Sequence, residues 1–403
     1  MIDETYLLAT RIPLFEDADG FYTDDLWEKD LSAHLQYIDH FRICCPVEPV
    51  AQAQMPLKRV AGLTKGQVTA LRLDRGWASV AANFLPNFRR LAKAVQQSEI
   101  VHSGCAGWAF PLAYYVLVLR PFSRFKWINV VESSFWEKPS SGPVSVRQWI
   151  GDHVHNFMVR RCVRSSDARI FTQDAYRRAY LGSREAALVA PAVWIDDEDF
   201  RTDADLALAH SLTKPARLIF PARLIADKGV DTVLAAADRW DAVYGGAPGP
   251  VLEVDIIGEG SLADRCRSFV AERSPDKRLR MRFLESVPYD DTFFKLLRGY
   301  DAAIVANRQA EQARIVYDVM SQGLPCFATE TAGNLAVIEG GTTGAMFAVD
   351  DAGALAALFE RAIQEPEWLA TMGKNALAAA RGYSHGAMHA QREEFLRATL
   401  ALA

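Results

Sequence analysis

The chain has 403 residues, 50% of them hydrophobic and 24% charged, which excludes a disordered or fibrous protein and exceeds what one ordinary core covers. Two α/β-sized domains are therefore expected. The net charge of −5 hides an uneven distribution: Lys58 to Arg184 carries 20 Lys and Arg against 7 Asp and Glu, a basic block that attracts anionic partners. The acidic surplus lies in Asp3–Asp39 and Asp196–Asp205. Cys44, Cys45, Cys105, Cys162, Cys266 and Cys326 show no CxxC or ligand spacing, and most sit in apolar runs, as core cysteines of a reducing cytoplasm do. The opening residues MIDETYLLATRIPLF carry acids where an export signal needs bases, so no signal is expected. The longest apolar run, Cys105–Leu119, contains Pro111 and is short of a bilayer span. The expectation is a cytoplasmic protein, with peripheral attachment to the inner face of the cell membrane left open.

In chain order, Thr5–Thr10 reads as a first strand, Asp24–Phe41 as a helix with an Asp start, and Arg42–Val47 as a second strand. A strand at Ala70–Asp74, a helix over Trp77–Gln97 and a strand at Glu99–Gly104 follow. Trp127–Ser134 and Ala168–Gln173 are further strands, with a basic helix between them near Val144–Arg164. Such alternation means βαβ units and a parallel sheet covered on both faces. The acidic stretch after Ala190 lacks periodicity and reads as an interdomain connection, taken as 196–214. Its Asp196-Asp197-Glu198-Asp199 run reads as solvated acids, and no metal is expected there.

The alternation restarts with RLIFPARLIADKGV (Arg217–Val230): a short apolar strand bounded by Pro215 and Pro221, a basic loop with Arg223 and Lys228, then a helix from Val230 to Trp240. A guanidinium, an ammonium and the free N–H groups of a helix start at one mouth suit a diphosphate; the alternative is a solvated loop with ordinary charges. Strands at Val251–Gly260, Arg280–Ser286, Asp301–Asn307 and Leu324–Thr329, a short helix at Arg314–Gly323 and helices over Ala352–Arg381 complete a second doubly wound domain. The tail SHGAMHAQREEFLRATLALA reads as a final amphipathic helix, expected to pack back on the first domain. The domains are thus 1–195 and 215–383, with 384–403 returning to the first.

Five pieces in order, PARLIADKGV, EVDIIGEGS, FLESVPYDDTFFKLLRGYDAAIVAN, EQARIVYDVMSQGLPCFAT and GGTTGAMF, resemble the donor half of GT-B glycosyltransferases of the retaining family-4 type (glycosyl transferases group 1), over nearly all of residues 216–365. The resemblance implies a GT-B fold, two Rossmann-like domains facing across a cleft, and a metal-independent hexosyltransferase needing no cofactor. Its substrate would be a UDP- or GDP-sugar. Arg223 and Lys228 would hold the pyrophosphate and stabilise the departing nucleoside diphosphate. Gly258 and Gly260 would let backbone approach the donor, Ser286–Val287 would meet the base, and Asp318 would accept hydrogen bonds from the ribose diol. The lesser alternative for Asp318 is an i,i+4 partner of Arg314 on a helix face. The family's first acid should fall at Ala310; the nearest is Glu311, one residue late, which a shortened loop could still deliver to the sugar. The family's Gly-Phe-Gly here reads Gln312-Ala313-Arg314, which adds a cation near the phosphates.

The N-terminal half matches less well. Arg11 ends the first strand, His102 ends EIVHSG and Glu132 ends WINVVE, so the three are acceptor-side candidates, each with a structural alternative. WAFPLAYYVLVLRPFSRFKW, apolar with a basic exit, suits an anionic membrane surface or a buried crossover helix. No RNP-like, zinc or helix-turn-helix signature supports nucleic acid. The resulting expectation is retaining transfer from a nucleotide-diphosphate sugar to a saccharide or lipid-linked saccharide acceptor, in bacterial surface polysaccharide assembly. A GT-B sugar-nucleotide epimerase and a non-catalytic GT-B partner subunit are the alternatives.

Overall fold

Four consecutive buried residues, Tyr6–Ala9, form β1, and their side chains alternate between two cores because successive strand residues point to opposite faces. Leu7 and Ala9 join one cluster with Leu91, Tyr114 and Val163; Tyr6 and Leu8 join another with Leu31, Tyr37 and Leu396. A strand buried on both faces needs helices on both sides, and the chain supplies them. Helices Trp77–Gln96, Leu112–Leu119 and Val146–Ser165 build the first core; Asp25–Tyr37 and His385–Leu400 build the second. This computed structural model describes residues 1–107, 110–133, 145–182, 187–210, 215–246, 248–274, 277–311 and 313–401.

The chain divides into two compact units, 1–194 with 386–403, and 195–385. In the first, β2 (Leu14–Glu16), β3 (Phe21–Thr23), β4 (Phe41–Pro49), β5 (Lys58–Arg59), β6 (Val68–Leu71), β7 (Ile100–Gly104), β8 (Lys126–Val131), β9 (Ala168–Phe171) and β10 (Leu188–Val189) join β1. Its parallel heart runs β6-β4-β1-β7-β8-β9, the doubly wound order in which strands depart in opposite directions from the first. The β2–β3 hairpin, with β5 beside it, extends this sheet at the edge of β4, and β2–β3 and β3–β5 are antiparallel. Nothing in the ATRIPLFEDADGFYT stretch announces these three-residue strands.

The second unit repeats the order: β13 (Leu279–Leu284), β12 (Leu252–Ile257), β11 (Ala216–Pro221), β14 (Ala302–Val305), β15 (Cys326–Thr329) and β16 (Gly344–Phe347), parallel throughout. The reversal falls between β11 and β14, and in open α/β sheets the carboxyl ends of the strands at such a reversal are where ligands bind.

One expectation needs correction, and one open pair of readings is decided. The stretch 196–214 is not a free connection where it is described. Asp196 and Asp199 cap one turn reciprocally, Arg298 and Gln322 donate to the Asp199 carbonyl, and buried Arg201 donates to the Gln322 carbonyl. These bonds make the acids after Ile195 part of the second unit. The stretch WAFPLAYYVLVLRPFSRFKW begins in undescribed residues, and of its two readings the buried crossover holds for helix Leu112–Leu119, where Leu112–Val116 and Leu119 are all covered. Among the described residues no helix is long and apolar enough to cross a membrane.

The C-terminal helix meets the first unit through a polar cluster. His389 Nε2–H donates to Asp30 Oδ1 at 3.2 Å, and its Nδ1 takes the Tyr37 hydroxyl at 3.4 Å. His34 donates from Nδ1 to the Asp30 carbonyl at 2.8 Å. Burial pushes the His389 imidazole down to about 4, although Asp30 opposes this; His34 and Arg392 add to it. A folded pKa below the unfolded value means that the unfolded chain binds the extra proton first. The neutral imidazole's contribution is therefore whole above about 6.5 and is lost as pH falls through about 4, on the order of 3 kcal/mol. Thermal unfolding should show the first unit losing stability between pH 6.5 and 4, and His389→Gln should flatten that slope.

Candidate functional site

The loop after β11 is fixed before any ligand arrives. Ala222 N donates to Ile257 O at 3.1 Å, Leu224 N to Glu259 O at 2.7 Å, and Leu262 N to Leu224 O at 2.8 Å, which lays the 222–224 backbone along the turn after β12. Gly258 and Gly260 make this approach possible: both have positive φ (142° and 149°), and a Cβ would stand 1.9 Å from the Ala222 carbonyl oxygen or 2.4 Å from that of Leu224. In this structure the neighbouring loop is what demands glycine at both positions. From the other side, the Arg308 guanidinium donates to Ala226 O at 3.0 Å and Gln309 to the Asp227 carboxylate at 2.9 Å. Gly229, at φ 72°, then starts helix Val230–Tyr244 against the carbonyl of Ala306.

Arg223 and Lys228 therefore sit on a rigid loop at the point where the strand order reverses. Arg223 is exposed, Lys228 half-buried, and neither side chain has a hydrogen-bond or ion-pair partner among the described residues. Burial lowers the Lys228 ammonium below the ordinary lysine range, and Arg223 lowers it further; Glu311 raises it and Arg314 lowers it. Those mutual effects bring all four predicted groups, from the β11 and β14 loops, into one neighbourhood. Glu311 is half-buried and Arg314 exposed, at the start of helix Ile315–Ser321. Two cations that destabilise one another, next to the unsatisfied N–H groups of a 15-residue helix, form an arrangement that a diphosphate would relieve.

Asp318 is buried one turn into helix Ile315–Ser321 and accepts the Tyr289 hydroxyl at 2.7 Å. Burial raises its carboxyl to about 7, against the opposing effects of Tyr289 and Arg314. The hydrogen-bond partner is thus Tyr289, in the VPYDD stretch; the i,i+4 neighbour Arg314 acts through its charge. Ser286 is exposed and Val287 half-buried just beyond β13. Sequence reasoning missed Tyr289, whose only signal was its place between the Ser286–Val287 segment and the next helix. It also missed Asn307 and Asn334, which lock the ends of β14 and β15 together (Asn334 Nδ2 to Asn307 Oδ1 at 2.9 Å and to Thr329 O at 2.9 Å).

In the first unit the acceptor-side candidates separate. Arg11 is neither a free cation at a strand end nor a surface charge. It pairs with Asp74 at 2.7 Å, donates to Phe110 O at 2.8 Å and is almost covered, so its charge is spent on holding loops. His102 does not end its strand: β7 runs Ile100–Gly104 and His102 is its middle residue, buried, with Nδ1 2.7 Å from the Tyr6 hydroxyl. Burial first, then His34 and Arg392, pushes its imidazole well below the usual range, so it stays neutral in the interior. Glu132 does follow the end of β8, exposed, with its carbonyl accepting from Thr172 at 3.0 Å. Among the described residues Asp30, His34 and His389 offer three ligand atoms within 4.8 Å of one another, but these are the buried groups already hydrogen-bonded in the C-terminal helix contact.

Residues 209–378 match the family model described as Glycosyl transferases group 1. The match covers this segment, less than half of the chain. The whole chain resembles solved structures of the GT-B fold: sucrose-phosphate synthase of Thermosynechococcus elongatus (16% identity, TM-score 0.68, covering 100% of both chains) and HepE of Anabaena in complex with UDP and glucose (15%, 0.63, covering 98% of this chain and 99% of that one). A glycosyltransferase of Rickettsia africae is similar at 13% identity and TM-score 0.65, covering 99% of each chain. No curated protein matches the chain in sequence. At such identities the structural likeness establishes the fold, GT-B, with two Rossmann-like domains. The matched segment contains the Arg223, Lys228, Glu311 and Asp318 neighbourhood and every strand of the second sheet.

One substitution separates stability from ligand binding in the second unit. With its folded pKa raised, Asp318 contributes fully below about 3.8, and that contribution is lost as pH rises to about 7, on the order of 4 kcal/mol. Asp318→Asn keeps an oxygen for Tyr289 and removes the buried charge, so denaturant unfolding at pH 8 should show a more stable protein. Titration with nucleoside diphosphate should show weaker binding, because an amide offers one acceptor oxygen where the carboxylate offers two.

Proposed function

We propose that the chain is a retaining hexosyltransferase that moves a sugar from a nucleotide-diphosphate sugar, UDP- or GDP-linked, to a saccharide or lipid-linked saccharide acceptor in surface polysaccharide assembly, without metal or cofactor. The observation that carries this is the Arg223–Lys228 pair, unpartnered among the described residues and fixed on a loop inside the segment that matches the group 1 glycosyl transferase model. The pair neutralises the leaving diphosphate, and its electrostatic preorganisation takes the part a metal plays in other sites. Glu311 holds sugar hydroxyls, Arg314 adds positive charge near the phosphates, and Asp318 takes the ribose. Ser286 and Val287 meet the base, and the Gly258–Gly260 turn supports the loop carrying Arg223. Attack comes from the face the diphosphate leaves, with a leaving phosphate oxygen helping to remove the acceptor proton. HepE, of the same fold, has been solved with UDP-glucose, which supports a uridine donor as the first to try.

A thermal-shift panel of UDP-, GDP-, ADP- and CMP-sugars tests the reading. One donor class should stabilise the protein, by about 2.7 kcal/mol at 100 times its dissociation constant, and should be turned over slowly to the free nucleoside diphosphate without acceptor. Binding without any turnover would favour the non-catalytic subunit, and no shift with any donor would end the proposal.

A further inference from the structure

Helix Val146–Ser165 shows solvent a face that its own domain does not use. Val146, Trp149, Ile150, Val154 and Phe157 are 51–74% exposed. At 100° per residue they fall within about 140° of one another and run along about 17 Å of the helix. The same face continues into Arg160, Arg161 and Arg164, all exposed and without an ion pair among the described residues. Its only acid, Asp152, lies off this face. The opposite side anchors the helix: Val159, Cys162 and Val163 are buried, and the Tyr114 hydroxyl lies 2.9 Å from His155 Nδ1. The neighbouring helix Leu112–Leu119 exposes Val118. The surface is thus mainly apolar over three turns, with exposed His153 tilted against Trp149 and exposed Arg147 at its border, and cationic in the last two.

We infer that this face docks the protein on an anionic lipid bilayer, with Trp149, Ile150, Val154 and Phe157 entering the headgroup–acyl boundary and Arg160, Arg161 and Arg164 meeting lipid phosphates. The charge pattern selects this occupant. A protein partner covering five exposed apolar side chains needs no adjoining row of unpaired arginines, whereas a bilayer offers an apolar boundary beside a plane of phosphates at that spacing. Trp149 suits the boundary, where an aromatic body can sit in apolar surroundings with its N–H in water. The inference moves the membrane-facing element from 108–127, whose helix is buried, to 146–164, and it stands on this surface independently of the donor chemistry.

Co-sedimentation of the full-length protein with phosphatidylcholine vesicles, with and without phosphatidylglycerol, tests it. The wild type should pellet only with the anionic vesicles. Trp149→Ser/Phe157→Ser should weaken that binding about tenfold or more, and Arg160→Gln/Arg161→Gln roughly 30-fold at low salt. Both variants should keep the wild-type melting temperature and the same rate of donor hydrolysis, so that loss of vesicle binding is read apart from loss of chemistry. A wild type that stays in the supernatant, or variants that bind as it does, overturns the inference. Equal binding to neutral vesicles removes the anionic partner, and a dimer that only Trp149→Ser/Phe157→Ser dissolves, without vesicle binding, replaces the bilayer by a second copy of the chain.

Discussion

Replacing Arg223 by alanine is expected to lower kcat about 10²–10³-fold, a barrier rise of roughly 2.7–4 kcal/mol, while the melting temperature stays unchanged. The side chain is exposed and makes no bond to the rest of the domain among the described residues, so stability has little to lose. On the proposed reading, what is lost is a cation that stabilises charge growing as the nucleoside diphosphate departs. Lys228→Ala belongs in the same range, with a difference that steady-state kinetics and calorimetry together resolve. Lys228 is half-buried and its ammonium is already disfavoured by burial and by Arg223, so its removal relieves the free protein while weakening the complex. The double substitution should cost less than the sum, because both groups act on one leaving group. Unchanged kinetics in both single variants would remove the two residues from the reaction.

The second large effect is on stability. Gly229→Ala should destabilise the second unit by about 2–5 kcal/mol, combining roughly 1–2 for a non-glycine residue in the left-handed region with roughly 1–3 for overpacking. The Cβ would lie 2.0 Å from the Ala306 carbonyl oxygen, so the loops leaving β11 and β14 would have to part. Gly258→Ala, with its Cβ 1.9 Å from the Ala222 oxygen, should behave alike. Urea unfolding measures both; a loss below about 1 kcal/mol would mean that the two loops are not packed as described.

The repeated strand–helix alternation was legible from composition and period because parallel strands buried on both faces, such as Tyr6–Ala9 and Ala302–Val305, read as short apolar runs between amphipathic helices. The β2–β3–β5 extension was not, since strands of two or three residues carry no period and owe their form to the edge of β4. In the second unit the ordered motifs carried the reading: Arg223, Lys228, Glu311 and Arg314, from two loops over 80 residues apart, interact through their charges. Where the sequence had only a lone residue at a strand end, tertiary contacts decided. Arg11 went to Asp74 and His102 to Tyr6, partners about 60 and 100 positions distant that no local pattern names. The stretch with two readings, WAFPLAYYVLVLRPFSRFKW, was likewise decided by burial. A uniformly apolar helix marks a core as readily as a lipid boundary, whereas the exposed face of Val146–Ser165 mixes apolar and basic residues and was read only as a basic helix.

The most direct test of the donor site is calorimetric titration of the preferred nucleoside diphosphate and of its parent nucleoside into wild-type protein and the Arg223→Ala/Lys228→Ala variant. The diphosphate should bind the wild type far more tightly than the nucleoside, and the variant should bind the two alike. Tight diphosphate binding that survives removal of both cations would contradict the assignment.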